Sequence, residues 1–363
     1  MLATILDTPK KRIALGAVLA VLVLAGVALA VTGGGGDEEA APTTTVPTTT
    51  TVAPTTTTGV PLPVAPLTGV AGDHLNRTAR PALVVKIDNV EPKARPQAGI
   101  NEADVVYEER VEGSVTRLLA VFHSTDAAPA GPVRSARTSD IAIFSPLHRP
   151  YFAWSGANPT FASRIRGSNI VDVGYDAATS MYYRDGGRPG THNLMIRSTD
   201  QIMQLPADGS SPPPPLFTYR GPDQPQPAHL EPAAGVHITY GGSAGSAPVE
   251  YRWNGAGWAR TQKGTPHVDA NGVQVAPANV IVQFTPYAGS DVTDQFGVAI
   301  PEAQLVGEGE AWVFTAGGVV VGRWHKPAVD AVTTYTDVDG NPIALSPGRT
   351  WVALPQPGGG TRL

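Results

Sequence analysis

The chain predicts an α+β protein. An N-terminal domain with a mixed sheet and packed helices is followed by a smaller, mainly-β domain, with a transmembrane helix and a disordered linker before both. Three observations carry this. A length of 363 residues with 42% hydrophobic content holds room for two domains with filled cores, which excludes global disorder. The proline run at 212–215 interrupts regular structure between a segment of alternating strands and helices and a segment of strands and tight turns. The first 70 residues hold one long apolar run and one Thr/Pro tract.

Residues 1–12 end in Lys10-Lys11-Arg12 and read as a cytoplasmic tail, because positive charge stays inside. Residues 13–31 carry no charge and as a helix span about 28 Å, close to a bilayer's hydrocarbon thickness. A single-pass anchor at the cell membrane with the bulk of the chain extracytoplasmic is expected, the membrane being the partner of that one helix. The rival reading is secretion after signal cleavage near Ala30, since Ala28-Leu29-Ala30 has the small-x-small form. Residues 32–70, with the Thr/Pro tract at 43–58, cannot bury apolar surface and read as a disordered spacer.

Net charge of −5 argues against a general nucleic-acid binder. The absence of cysteine removes disulfides, Cys-ligated metal, thiol nucleophiles and lipobox acylation together.

Within the expected first domain, 71–215, strands are predicted over 82–87, 104–109, 116–123 and 151–154, and helices over 133–144 and 159–165. A strand end leading into a helix is predicted over 192–202. The expected second domain, 216–355, with a tail at 356–363, shows eight β-favouring stretches. Asn254-Gly255, Asn271-Gly272 and Asp339-Gly340 supply tight-turn signals between them.

The motifs Lys86-Ile87-Asp88-Asn89, Ala94-Arg95-Pro96-Gln97-Ala98-Gly99-Ile100 and Ala103-Asp104-Val105-Val106-Tyr107-Glu108 resemble the YerB-like family of bacterial envelope proteins. Gly131-Pro132-Val133-Arg134-Ser135-Ala136-Arg137, Pro266-His267-Val268-Asp269 and Pro347-Gly348-Arg349-Thr350-Trp351 extend the resemblance to roughly 70–355. It implies a two-part extracytoplasmic protein whose biochemical activity is unassigned. Members are often lipoproteins, and a chain without cysteine departs from that pattern.

Polar residues are densest in the first half. Arg134 and Arg137, three apart at the start of the helix expected over 133–144, would share a face and form a two-pronged anion site. With Arg117 and Asn193 they make the candidate ligand-binding set. The competing reading pairs these arginines with Glu108, Glu112 or Asp88. Candidates for catalysis are Asp88 and Glu108, as a carboxylate pair for acid–base work on a glycosidic bond, and His192, beside the glycine-rich loop 186–190. No metal site and no cofactor are expected: the histidines lie at no metal spacing, and Asp337-Val338-Asp339-Gly340-Asn341 has its glycine too early for a calcium loop. Trp253, Trp258, Trp312, Trp324 and Trp351 are either core or a sugar-stacking surface.

Two functions follow. One is a non-catalytic envelope protein that binds a wall polymer or partner protein. The other is an envelope hydrolase or transferase acting on a glycan or phosphate-containing polymer through the Asp/Glu/Arg cluster. The lack of a complete catalytic motif favours the first.

Overall fold

The structure is a computed structural model that describes residues 63–72, 75–241, 248–294 and 297–363. These lie in one compact unit, Val60–Leu363. The expected cytoplasmic tail, the apolar span at 13–31 and the Thr/Pro tract lie outside the described residues.

Membrane attachment through one N-terminal helix is corrected here. No helix among the described residues is long and apolar enough to cross a membrane. The longest, Pro159–Arg166, has eight residues. At ~1.5 Å per residue that is about 12 Å, against a hydrocarbon core of ~30 Å.

Helices are few and short: Leu75–Thr78, Asp140–Phe144, Pro159–Arg166 and Thr199–Met203. The frame is an eleven-stranded sheet. Its first-half strands are β1 (Leu83–Asp88), β2 (Val105–Arg110), β3 (Thr116–Phe122), β4 (Tyr151–Ala153) and β5 (Val171–Asp172). Along the sheet β2, β3, β1, β4 and β5 follow one another, and β2 continues into strands from the second half of the chain. Thr350–Leu354 lies parallel to β2, with Thr350 opposite Val105, and parallel to Asn279–Gln283 on its other side. Beyond come Gly307–Thr315, Gly318–Lys326 and Thr334–Thr336. The sheet therefore runs without a break through residues on both sides of the proline run.

Both faces of this sheet are covered, which is why β1 and β3 are buried at every position. A five-stranded sheet, with Val249–Trp253 and Trp258–Gln262 at its centre, packs on one face. There Tyr251 meets Trp351 with ring centroids 6.3 Å apart, and Trp258 meets Phe314 at 5.2 Å. Trp258, Trp324 and Trp351 are core side chains, at most 1% exposed. The helix Asp140–Phe144 contributes Ile143 and Phe144 to the cluster on the opposite face, with Val84, Leu119 and Val121.

The helix predicted over 133–144 starts only at Asp140. The reason lies in β1. Strand β4 pairs with it over Leu83–Val85 alone, so the backbone of Lys86 and Asp88 needs other partners. The preceding segment supplies them: Arg134 N–H donates to the Lys86 carbonyl, and the Pro132 carbonyl accepts from Asp88 N–H, both at 2.9 Å. Arg134 and Arg137 thus stand on extended chain and a turn, and the helical anion cradle is not formed.

Candidate functional site

Side chains alternate along a strand, so neighbours in sequence reach opposite faces of the sheet. This alternation separates the two carboxylates expected to act as a pair. In register, Asp88 of β1 lies opposite Arg117 of β3, which lies opposite Glu109 of β2. Glu108 and Asn89 fall one residue off and point the other way.

On that other face Glu108 is fully buried and spent. It receives both nitrogens of a bidentate contact from Arg260 at 2.9 Å, with Thr116 Oγ1 at 2.8 Å and Asn89 Nδ2 at 3.2 Å. Arg260 also donates to Tyr251, Gln262 and His267, and its guanidinium lies 5.1 Å from the Trp351 ring. Burial, then the charges of Arg260 and Arg95, hold His267 well below the ordinary imidazole range, so it is neutral. Gln97 closes the network by bridging His267 and Asn89, at 2.7 and 3.0 Å. A carboxylate with four donors and no exposure cannot work on a glycosidic bond. The Asp88–Glu108 catalytic pair is corrected on that ground: alternation puts the two on opposite faces, and Arg260 occupies Glu108.

On the Asp88 face lie two clusters. The inner one is Lys86, which pairs with Glu109 and, at 2.6 Å, with Asp140, all three unexposed. Ser139 Oγ donates to Glu109 at 2.6 Å.

The outer cluster gathers Asp88, Arg117, Arg134, Arg137, Glu112 and His192. Asp88 Oδ2 meets Arg134 Nε at 2.9 Å and His192 Nδ1 at 2.6 Å. Glu112 takes Arg137 through both oxygens and has Arg117 3.7 Å away. Burial alone would raise Glu112, but the hydrogen bonds and charge of Arg137, with Arg117, hold it below the usual carboxylate range. Burial, then the charges of Arg137 and Arg134, push the Arg117 guanidinium down to about 10. Arg117 donates to the Ser135 carbonyl at 3.0 Å, while its buried Nε makes no hydrogen bond among the described residues. Three guanidiniums therefore face two carboxylates, which leaves positive charge in excess. Arg134 is the most open of the three, at 25% exposure against 8% for Arg117 and 7% for Arg137.

Asn193 stands apart. Its side chain accepts from Arg184 at 2.8 Å, on the hairpin formed by Tyr182–Arg184 and Leu194–Ile196. Among the described residues, His229, Asp337 and Asp339 bring possible metal-ligating atoms within 4.8 Å of one another. Their visible contacts are those of a turn: Asp337 accepts the N–H groups of Asp339 and Asn341, and Asp339 meets His229 at 2.7 Å.

Sequence reasoning missed Lys86 and Arg260. Each had a signal. Lys86 is a cation inside an apolar strand, and Arg260 alternates with Trp258 and Gln262 in the inward row of its strand.

Two family models match the chain: the protein of unknown function (DUF3048) N-terminal domain over residues 67–209, and the DUF3048 C-terminal domain over 236–352. "Putative lipoprotein YerB" of Bacillus subtilis is 29% identical over 298 residues, which is 80% of this chain and 85% of that protein. The crystal structure of YerB protein from Bacillus subtilis matches with a TM-score of 0.71 at 25% identity, covering 83% of this chain and 99% of that one. The two models together span most of the sequence in the same order, and the chain belongs to the two-part YerB-like DUF3048 family.

Proposed function

We propose that this is an extracytoplasmic, non-catalytic binding protein whose outer arginine cluster captures the oxyanion groups, phosphate or carboxylate, of a cell-wall polymer. The location is supported by the likeness to a protein named as a lipoprotein and by the basic cluster ahead of the first apolar run. The single observation that carries the binding reading is the charge excess at Arg117, Arg134 and Arg137, with Arg134 open to solvent. Guanidinium forks match oxyanions geometrically, and an uncompensated one is costly unless a ligand meets it. The mutual pairing of the carboxylates with cations speaks against the hydrolase reading, which needs free acid and base groups.

The test is Arg134→Ala in the full chain, titrated with a glycerol-phosphate polymer in one arm and a carboxylate-rich wall peptide in the other. Loss of about tenfold or more in affinity in one arm supports the reading and names the oxyanion, since one charge-assisted contact is worth that much. Stability should fall by only about 1 kcal/mol, because the arginine is partly exposed and Asp88 keeps His192. Unchanged affinity in both arms with a stability loss of several kcal/mol would make the cluster structural.

A further inference from the structure

We propose that anion capture at this site is coupled to protonation of His192, so that the site binds a proton together with its ligand; this rests on the reading of the arginine cluster as an anion site. One oxygen, Asp88 Oδ2, meets both Arg134 Nε at 2.9 Å and His192 Nδ1 at 2.6 Å. The imidazole and the most exposed guanidinium are therefore pinned side by side on one buried carboxylate. Asp88 is ionised in an ion pair with Arg134 and can only accept, so Nδ1 carries a proton in either charge state of the ring. The titrating atom is then Nε2. It makes no hydrogen bond among the described residues, and the side chain keeps 11% exposure.

The consequence is a donor that exists in one state alone. A neutral ring turns a lone pair toward an incoming oxyanion and repels it. A protonated ring turns an N–H toward it and adds a charge beside Arg134. Histidine is the side chain whose ordinary titration falls between about pH 5 and 8. Affinity therefore rises as pH falls through that range, and by linkage the bound anion favours the protonated ring.

The groups packed around the imidazole do not supply this behaviour themselves. Asp88 comes from β1, Arg134 from the extended segment, Arg117 from β3, and Glu112 and Arg137 stand behind them as a pair. On the histidine's own loop Asp185 and Arg188 pair with each other at 3.1 Å. The guanidiniums stay charged throughout, and Glu112 is held below the usual carboxylate range. Asp140 is the exception, since it titrates at about 7, and it touches the cluster through the Arg137 N–H at 2.8 Å. A variant that removes only the imidazole separates the two.

Sulfate is the probe, because its charge does not change over this range and any pH dependence belongs to the protein. Its affinity for the full chain is measured by calorimetry at pH 5.5 and 8.0, for wild type and His192→Gln. The expected wild-type ratio between the two pH values is about fivefold to tenfold. It should fall below about twofold in His192→Gln, whose amide can still meet Asp88 but cannot titrate. Sulfate binding with a flat wild-type profile, or with the same slope in the variant, overturns the coupling and leaves the anion site standing. No sulfate binding at either pH overturns both.

Discussion

Replacing Arg260 with methionine should lower the unfolding free energy by about 3–5 kcal/mol, the cost of stranding a buried charge. The argument rests on Glu108, which has no exposure and meets Arg260 through both oxygens at 2.9 Å. Methionine fills much of the space beside Tyr251 and Trp351 but leaves the carboxylate facing apolar rings. A second change, Glu108→Gln in the Arg260→Met background, should recover at least half of the loss. The neutral amide needs no cation and can still accept from Asn89 and Thr116. Urea unfolding of the four species measures this. A single-variant loss under about 1 kcal/mol would show that the pair is not buried as described. The same pair joins a strand of the five-stranded sheet to β2, so these variants also report whether the two family-model segments fold as one body.

The second large effect is at Lys86. Lys86→Met should cost about 3–5 kcal/mol at pH 8 and distinctly less at pH 5. The single cation lies between Glu109 and Asp140, none of them exposed. Burial raises the Asp140 carboxyl to about 7, with Lys86 pulling it down and Glu109 pushing it up. Glu109 is shifted the other way: burial would raise it, but Lys86 carries it below its ordinary value. For Asp140 the folded value lies above the unfolded one, so between about 4 and 7 the folded state holds more protons. Stability from this group is then highest at low pH and falls as pH rises through 7. Removing Lys86 withdraws the cation that opposed this and steepens the fall. Asp140→Asn, in contrast, should flatten it while leaving Lys86 paired with Glu109. A pH-independent loss in Lys86→Met would contradict the account.

Much of the fold was legible, and particular residues show how. The run Ala82-Leu83-Val84-Val85 reads as a strand buried on both faces, and β1 is one. Asn254-Gly255 marks a hairpin, and the strands Val249–Trp253 and Trp258–Gln262 meet there. What could not be read was long-range pairing. Thr350–Leu354 lies next to β2 although some 240 residues separate them, and nothing local in either strand names the other. The helix over 133–144 failed for a related reason. Gly131-Pro132 is a start signal only where the backbone is not already claimed, and β1 claims it.

The outer site was legible as a set of residue types but not as a geometry. Asp88, Arg117, Arg134, Arg137 and His192 do meet, since strand ends and their connections gather at one edge. Glu108 could have been separated from Asp88 only with the register in hand, because a one-residue step sends a side chain to the opposite face. Asn193 follows the same rule: it neighbours His192 in sequence and binds Arg184 instead.

The most direct test of the arginine cluster as a ligand site is a crystal structure of the protein grown with a short glycerol-phosphate polymer. The account predicts a phosphate oxygen within about 3 Å of guanidinium nitrogens of Arg134 and Arg117, on the side where His192 Nε2 is unpaired. A polymer bound elsewhere, or Arg117, Arg134 and Arg137 left in their present pairings at saturating ligand, would contradict it.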